Sequence, residues 1–316
     1  MQTQVLAFSD DAIAVAANII ADGGVVAVPT ETVYGLAGDA TSDIAVAAIY
    51  AAKGRPSFNP LIVHVPDLDG AMAIGDFSGT ALDLAKAHWP GPLTIVVPLR
   101  ADAGIAKLTT AGLATIAIRV PAHRAMQALL HTCGRPLAAP SANASGTISP
   151  TRAEHVLRSL DGRIPLVIDD GATPGGIEST IVKITDDQFE VLRPGPVMII
   201  ADSIRGSASA AAAAKIEAPG QLAAHYAPSK PLRLNANSAQ PGEILIGFGP
   251  VGGDMSLSPS GNTTEAAVRL FDLLHAADAN PAPRIAIAPI PDEGLGIAVN
   301  DRLRRAATGA AHSAAV

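Results

Sequence analysis

Aromatic residues make up only 3% of this 316-residue chain, cysteine occurs once, and charged residues account for 16%. Each scarcity excludes something. The single cysteine, Cys133, cannot close an internal disulfide, which argues against a stapled extracellular scaffold and for a reducing compartment. Its place just before Gly134-Arg135-Pro136 suits a packed helix end rather than a nucleophile. No apolar run approaches the roughly 18 residues that a membrane-spanning helix needs. No Lys or Arg precedes the first apolar stretch within Met1 to Asp11, so neither a secretory signal nor a transit peptide is expected. A soluble, cytoplasmic protein is the expectation. Basic charge is also short. Residues 1–205 carry 14 basic against 20 acidic side chains and the remainder 8 against 9, for a formal charge of −7. That balance is wrong for a nucleic-acid module, and any anion must be held by locally converging cations. Gly-x-Gly-x-x-Gly and Walker-type loops are absent too, so a nucleotide site would need another design.

What the chain has in abundance is alanine and branched aliphatic residues, punctuated by 29 glycines and 25 prolines. Its length allows two α/β units, each with a core. Short β-branched runs predict strands at Val25 to Pro29, Leu61 to Val65, Leu93 to Pro98, Thr115 to Val120, Leu166 to Ile168 and Thr180 to Ile184. Helical patterns lie between them. Ser42 caps one that buries Ile44, Ala48 and Ile49, Ser78 caps one carrying Leu82 and Leu84, and Thr151 with Glu154 forms a capping box. A short apolar helix is expected after Arg193-Pro194-Gly195-Pro196. The Ala/Ser-rich stretch that follows reads as a linker over 206–230, ending in His225-Tyr226-Ala227-Pro228. Beyond it, strands at Glu243 to Phe248 and Arg284 to Ala288 flank a helix at Thr264 to Ala277, with a last helix near Gly296 to Ala307. The division expected is 1–205, linker 206–230, and a smaller α/β domain over 231–316.

Three polar clusters interrupt this bland background. Pro29-Thr30-Glu31-Thr32-Val33-Tyr34-Gly35-Leu36 follows a buried strand, where sites tend to sit, although a strand-to-helix turn uses the same residues. Lys53-Gly54-Arg55-Pro56-Ser57-Phe58-Asn59-Pro60 places two cations at a helix C-terminus, a favourable position with or without a phosphate ligand. Ala139-Pro140-Ser141-Ala142-Asn143-Ala144-Ser145-Gly146 is small enough for close ligand approach. Isolated polar residues add to these: His64 in a strand, Arg119 in an apolar strand, Glu178-Ser179-Thr180, and Arg193. A buried guanidinium such as Arg119 needs an anion, either from the protein or from a substrate.

Taken together, Pro-Thr-Glu-Thr-x-Tyr-Gly-Leu at 29–36, Lys-x-Arg at 53–55, Asn-Pro-Leu at 59–61, Ser-x-Asn at 141–143, Glu-Ser-Thr at 178–180 and Arg-Pro-Gly at 193–195 resemble the threonylcarbamoyl-AMP synthase family, the YrdC-type proteins, in their two-domain form. The resemblance implies a twisted mixed sheet with flanking helices and a smaller Rossmann-like α/β domain at the C-terminus. It further implies ATP, L-threonine and bicarbonate or carbon dioxide as substrates, with magnesium carried by the phosphates and no protein-bound metal. Thr32, His64, Arg119 and Ser179 match the family's threonine contacts. Arg55, Asn59, Thr115, Ser141, Ser149, Arg193 and Tyr226 match its ATP positions, with Lys53 adding charge and Tyr226 acting as a lid. A downstream tRNA threonylcarbamoyltransferase is the implied partner, and direct tRNA contact is left open.

Two departures stand out. Ala139 replaces a hydroxyl residue, and Gln221-Leu222-Ala223-Ala224 replaces a basic, aromatic stretch before His225. A noncatalytic RNA-binding module is the competing class, and the acidic balance argues against it. A hydrogenase-maturation carbamoyltransferase needs cysteine-rich segments that one cysteine cannot build.

Overall fold

The β-branched runs assemble into one mixed sheet in a computed structural model that describes residues 2–185, 188–199, 207–208, 218–220 and 222–313. Its strands are β1 (Gln4–Ala7), β2 (Val26–Pro29), β3 (Tyr34–Asp39), β4 (Ile62–His64), β5 (Leu93–Pro98), β6 (Thr115–Arg119), β7 (Leu137–Ala138), β8 (Leu166–Asp169), β9 (Thr180–Thr185), β10 (Gln188–Arg193) and β11 (Ser207–Ala208). They lie in the order β1-β8-β2-β3-β7-β4-β6-β5-β9-β10-β11. Parallel pairs such as β4 with β6 alternate with antiparallel ones such as β2 with β3. The strands read as unbroken apolar runs because both faces are covered. On one face Val26, Val28 and Ala37 pack with Ile13 of α1 (Asp10–Ala21) and Leu129 of α5 (Arg124–Cys133). On the other Ala27 and Leu36 pack with Val46 and Ile49 of α2 (Asp43–Lys53). Two helices, α3 (Leu68–Ile74) and α4 (Gly79–His88), follow α2, and α6 (Ala153–Leu160) precedes β8.

The C-terminal part forms a second sheet of β12 (Leu232–Arg233), β13 (Glu243–Gly247), β14 (Met255–Ser256) and β15 (Arg284–Ile287), in the order β12-β15-β13-β14 with every pairing parallel. It is joined by helices α7 (Thr263–Ala279) and α8 (Gly296–Ser313). The expected fold class therefore holds. The second core is not closed on itself, because Val33, Ile148 and Ile177 from the first part are buried in it with Tyr226.

Local expectations fared unevenly. Ser42 caps α2, accepting from the amide of Ala45 at 3.3 Å, but Ile44 is 76% exposed. The buried stripe is Ala45, Val46, Ile49, Tyr50 and Lys53, one residue round the helix from the predicted face. Ser78 stands at the N-cap of α4 without a side-chain bond, and Leu84 rather than Leu82 is buried. The Thr151–Glu154 capping box does not form. Arg152 holds the N-cap position, its guanidinium is drawn to Asp272 at 2.7 Å, and Thr151 faces His155 instead. Cys133 ends α5 as expected, and burial pushes its thiol up to about 11, so it is not activated. The apolar helix expected beyond Pro196 and the interior of the linker (206, 209–217 and 221) lie largely or wholly outside the described residues.

Candidate active site

The first polar cluster is a hairpin turn, not a strand-to-helix turn. β2 and β3 pair antiparallel with Pro29 opposite Tyr34, which leaves Thr30 to Val33 to close the bend. The Thr30 hydroxyl donates to the Val33 carbonyl at 2.7 Å and accepts from the Thr32 and Val33 amides at 3.1 and 3.2 Å. A β-branched hydroxyl residue thus does the work that Asx residues usually do in turns. The bend aims Thr32 at the sheet interior, where its hydroxyl meets Thr30 at 2.8 Å and Arg119 at 3.0 Å.

His64 and Arg119 end β4 and β6 and are direct register partners on adjacent parallel strands, so their side chains share one face. Arg119 donates through Nε to the Gly91 carbonyl at 3.2 Å, and its Nη2 lies 2.7 Å from a carboxylate oxygen of Glu31. The anion that this buried guanidinium meets within the chain is therefore Glu31. Burial alone would raise the Glu31 carboxyl, but the adjacent Arg119 charge and its hydrogen bond bring it below the ordinary carboxylate value. His64 is fully enclosed, and burial together with the Arg119 charge lowers it to about 3. It is neutral near pH 7 with Nδ1 unpartnered, able to donate or accept. Ser179, just before β9, shares a hydrogen bond of 2.7 Å with Thr94 on the adjacent β5.

A second group of cations borders the same space. Arg55 donates to the carbonyls of Asn59 and Pro60 at 3.1 and 2.8 Å, and burial lowers it to about 10. Arg193 donates to the carbonyl and hydroxyl of Ser179 at 3.0 and 3.1 Å and to Pro219 at 3.3 Å. Arg55 therefore stays charged near pH 7, and burial lowers Arg193 from its ordinary value as well. Tyr226 holds a left-handed backbone (φ 63), stands edge-on to His225 with ring centroids 4.0 Å apart, and keeps an unpartnered, buried hydroxyl. At Gly220 (φ +85) a Cβ would come within 2.7 Å of that hydroxyl and 3.0 Å of Arg193 Cδ, so only glycine fits.

Thr32, Arg55, His64, Arg119, Ser141, Ser179, Arg193 and Tyr226 line one cavity. Four other predicted positions stand outside that lining. Lys53 donates to the carbonyls of Ser141 and Asn143 at 2.5 and 2.6 Å, so it fixes the Ser141 loop from behind. Ser149 donates to Glu178 at 2.5 Å, while Asn59 is buried with both amide atoms unpartnered. Thr115 opens β6 opposite Pro98. Sequence reasoning missed Arg302 of α8, which is fully buried, 3.0 Å from Glu178. Within Asp-Arg-Leu-Arg-Arg it reads as one more residue on a solvated helix face, and only its place one turn beyond Val299, flanking the Val299–Leu303 stripe, could have hinted otherwise.

Fold and site together define a two-domain α/β protein in which buried arginines from the larger mixed sheet and its loops border one cavity. The Sua5/YciO/YrdC family model, described as telomere recombination, matches residues 18–195, and the model of the threonylcarbamoyl-AMP synthase C-terminal domain matches 184–308. A protein of Bacillus subtilis named threonylcarbamoyl-AMP synthase is 38% identical, with 97% of this chain and 96% of the relative covered. One of Pyrococcus abyssi bearing the same name is 36% identical over 93% of each. The crystal structure of P. abyssi Sua5 complexed with L-threonine superposes with a TM-score of 0.86 at 33% identity, covering 98% of both chains. Escherichia coli YciO, at 23% identity and a TM-score of 0.55 over 61% of this chain and 96% of its own, shares the fold of the larger sheet. The chain belongs to the threonylcarbamoyl-AMP synthase family.

Proposed function

We propose that this protein makes L-threonylcarbamoyladenylate from ATP, L-threonine and bicarbonate or carbon dioxide, releasing pyrophosphate, for threonylcarbamoyladenosine modification of tRNA. One observation carries the reading: a single cavity brings Thr32, His64, Arg119 and Ser179 against Arg55, Arg193, Ser141 and Tyr226. The first four suit an amino acid. The Arg119 fork takes a carboxylate, and neutral His64 with the two hydroxyls serves the amine, hydroxyl or carbamate. The second set suits a nucleotide, with Arg55 and Arg193 beside the phosphates and Tyr226 closing over the base or ribose. Lys53 and Ser149 support that half by fixing the loops at 141–143 and 178, with Asn59 and Thr115 as further nucleotide positions.

The chemistry needs no enzyme nucleophile. A carbamate oxygen of N-carboxy-threonine forms a bond to the α-phosphorus, the bond from that phosphorus to the bridging oxygen breaks, and pyrophosphate leaves with the electron pair. The protein's part is to align the two substrates, to balance charge on the phosphates with Arg55 and Arg193, and to exclude water from a labile anhydride. Magnesium enters as part of the ATP substrate. Among the described residues no group of three or more His, Cys, Asp or Glu side chains is placed to hold a metal ion. A cytoplasmic setting fits this role, and no helix among the described residues is long and apolar enough to cross a membrane. The product would pass to a tRNA threonylcarbamoyltransferase.

Two ligands with separate subsites should each stabilise the fold. ATP or threonine at about 100 times its dissociation constant should add about 2.7 kcal/mol to unfolding, read as a raised melting temperature. Stabilisation by tRNA alone, with neither small molecule effective, would contradict the reading.

A further inference from the structure

From α8 the fully buried Arg302 reaches out of the C-terminal domain to Glu178, Pro194 and Tyr226. Its Nε donates to the Glu178 carboxylate at 3.0 Å, and Nη1 donates to the Pro194 carbonyl at 2.8 Å and to Asp301 at 3.0 Å. Nη2 lies 3.5 Å from the Glu178 carbonyl, and the guanidinium carbon stands 5.4 Å from the Tyr226 ring centroid. Glu178 precedes Ser179, and Pro194 follows Arg193. Because Arg193 is itself bonded to Ser179, the contacts close a ring from Arg302 through Glu178, Ser179, Arg193 and Pro194 back to Arg302.

The same turn of α8 grips the linker. Asp301 accepts from Arg305 at 3.0 Å, Arg305 donates to the Leu222 carbonyl at 2.7 Å, and the Arg305 carbonyl accepts from the His225 amide at 3.3 Å. One helical turn thus holds both the strap bearing Tyr226 and the loops bearing Ser179 and Arg193. A buried ion pair contributes little net stability compared with apolar packing, whereas a planar five-donor fork fixes several acceptors in one geometry.

We propose that Arg302 is a positioning residue for the nucleotide half of the site, the means by which the C-terminal domain holds Tyr226, Arg193 and Glu178 in register. It touches no substrate and acts through those three. The proposal rests on the ATP reading given above, and Glu178 supplies its control, since its charge can be removed together with that of Arg302.

The test uses the full chain and three variants, R302M, R302K and E178Q/R302M. Each is measured by melting temperature and by calorimetric titration with ATP and, separately, with threonine. R302K keeps the charge and loses the fork, and the double variant leaves no buried charge unbalanced. Both should melt near the native temperature yet bind ATP about tenfold or more weakly, with a clearly smaller loss for threonine, of whose contacts only Ser179 lies in the ring. R302M should show the same ATP defect with a lowered melting temperature. Native ATP affinity in R302K or in the double variant would reduce Arg302 to a counter-ion and overturn the proposal, as would equal losses for both ligands. If the native chain takes up no ATP, the functional reading falls and this proposal with it. If the native chain and R302M bind ATP alike, the proposal alone falls.

Discussion

At the scale of single residues, Arg119 shows how a site can be ready for an anion without being unstable in its absence. Glu31 at 2.7 Å, the Thr32 hydroxyl and the Gly91 carbonyl hold the guanidinium in place, so the charge is compensated and its orientation fixed. A substrate carboxylate entering beside Glu31 meets a fork that is already aligned, and little ordering entropy remains to be lost. Arg119→Ala should therefore weaken threonine binding by about 2 kcal/mol, roughly thirtyfold, because it also strands the buried Glu31 carboxylate. ATP affinity should stay within about threefold, since the nucleotide cations Arg55 and Arg193 are held by other carbonyls. Calorimetric titration of each ligand separates the two, and equal losses would contradict the assignment.

At the scale of elements, α6 and α7 meet through two stacked histidines, His155 and His275, with ring centroids 3.9 Å apart. Burial holds His155 down to about 3 and His275 to about 4, against an ordinary value of 6.5. Burial is the largest cause for both rings. The His275 charge and Arg152 and Arg158 push the same way for His155, Arg158 does so for His275, and Asp272, Asp278 and the Ser149 carbonyl pull upward. Between those values and 6.5 the unfolded chain binds protons that the folded chain does not. Stability should therefore fall as pH drops through that window, by about 1.4 kcal/mol per pH unit for each ring, and be level above about pH 7. Urea midpoints from pH 7 to 4.5 would show it, and the H155F/H275F variant should have a visibly flatter profile. An unchanged profile in that variant would place the acid sensitivity elsewhere, at His64 or His225. None of this joint was legible beforehand, because two histidines 120 positions apart carry no local pattern. Strands β2, β4, β5, β6, β8, β9, β13 and β15 were, since Val-Ile-Leu runs between Gly and Pro admit few readings. β3 was not, because its polar start at Tyr34 and its glycines at 35 and 38 look like loop until β2 and β7 pair with it on either side. The candidate site residues were legible as motifs, but their division into cavity wall and rear support was not, because that depends on which way Lys53 and Ser149 turn.

At the scale of the whole molecule, an acidic chain gathers its cations where they are needed. Arg55, Arg119 and Arg193 converge on one cavity, while Lys53 fixes the Ser141 loop and Arg302 of α8 pairs with Glu178 at its edge. The second core accepts Val33, Ile148 and Ile177 from the first part, so Val33, which also lines the cavity, ties the cavity wall to that core. Catalysis by such a site lies in holding three substrates together out of water, and the central claim is that all three are consumed in one reaction. The direct measurement is pyrophosphate release from the purified full chain with magnesium, leaving out ATP, L-threonine and bicarbonate one at a time. Release should need all three and match the threonylcarbamoyladenylate formed mole for mole. Pyrophosphate released at the same rate without threonine or without bicarbonate, or no release with all three present, would contradict it.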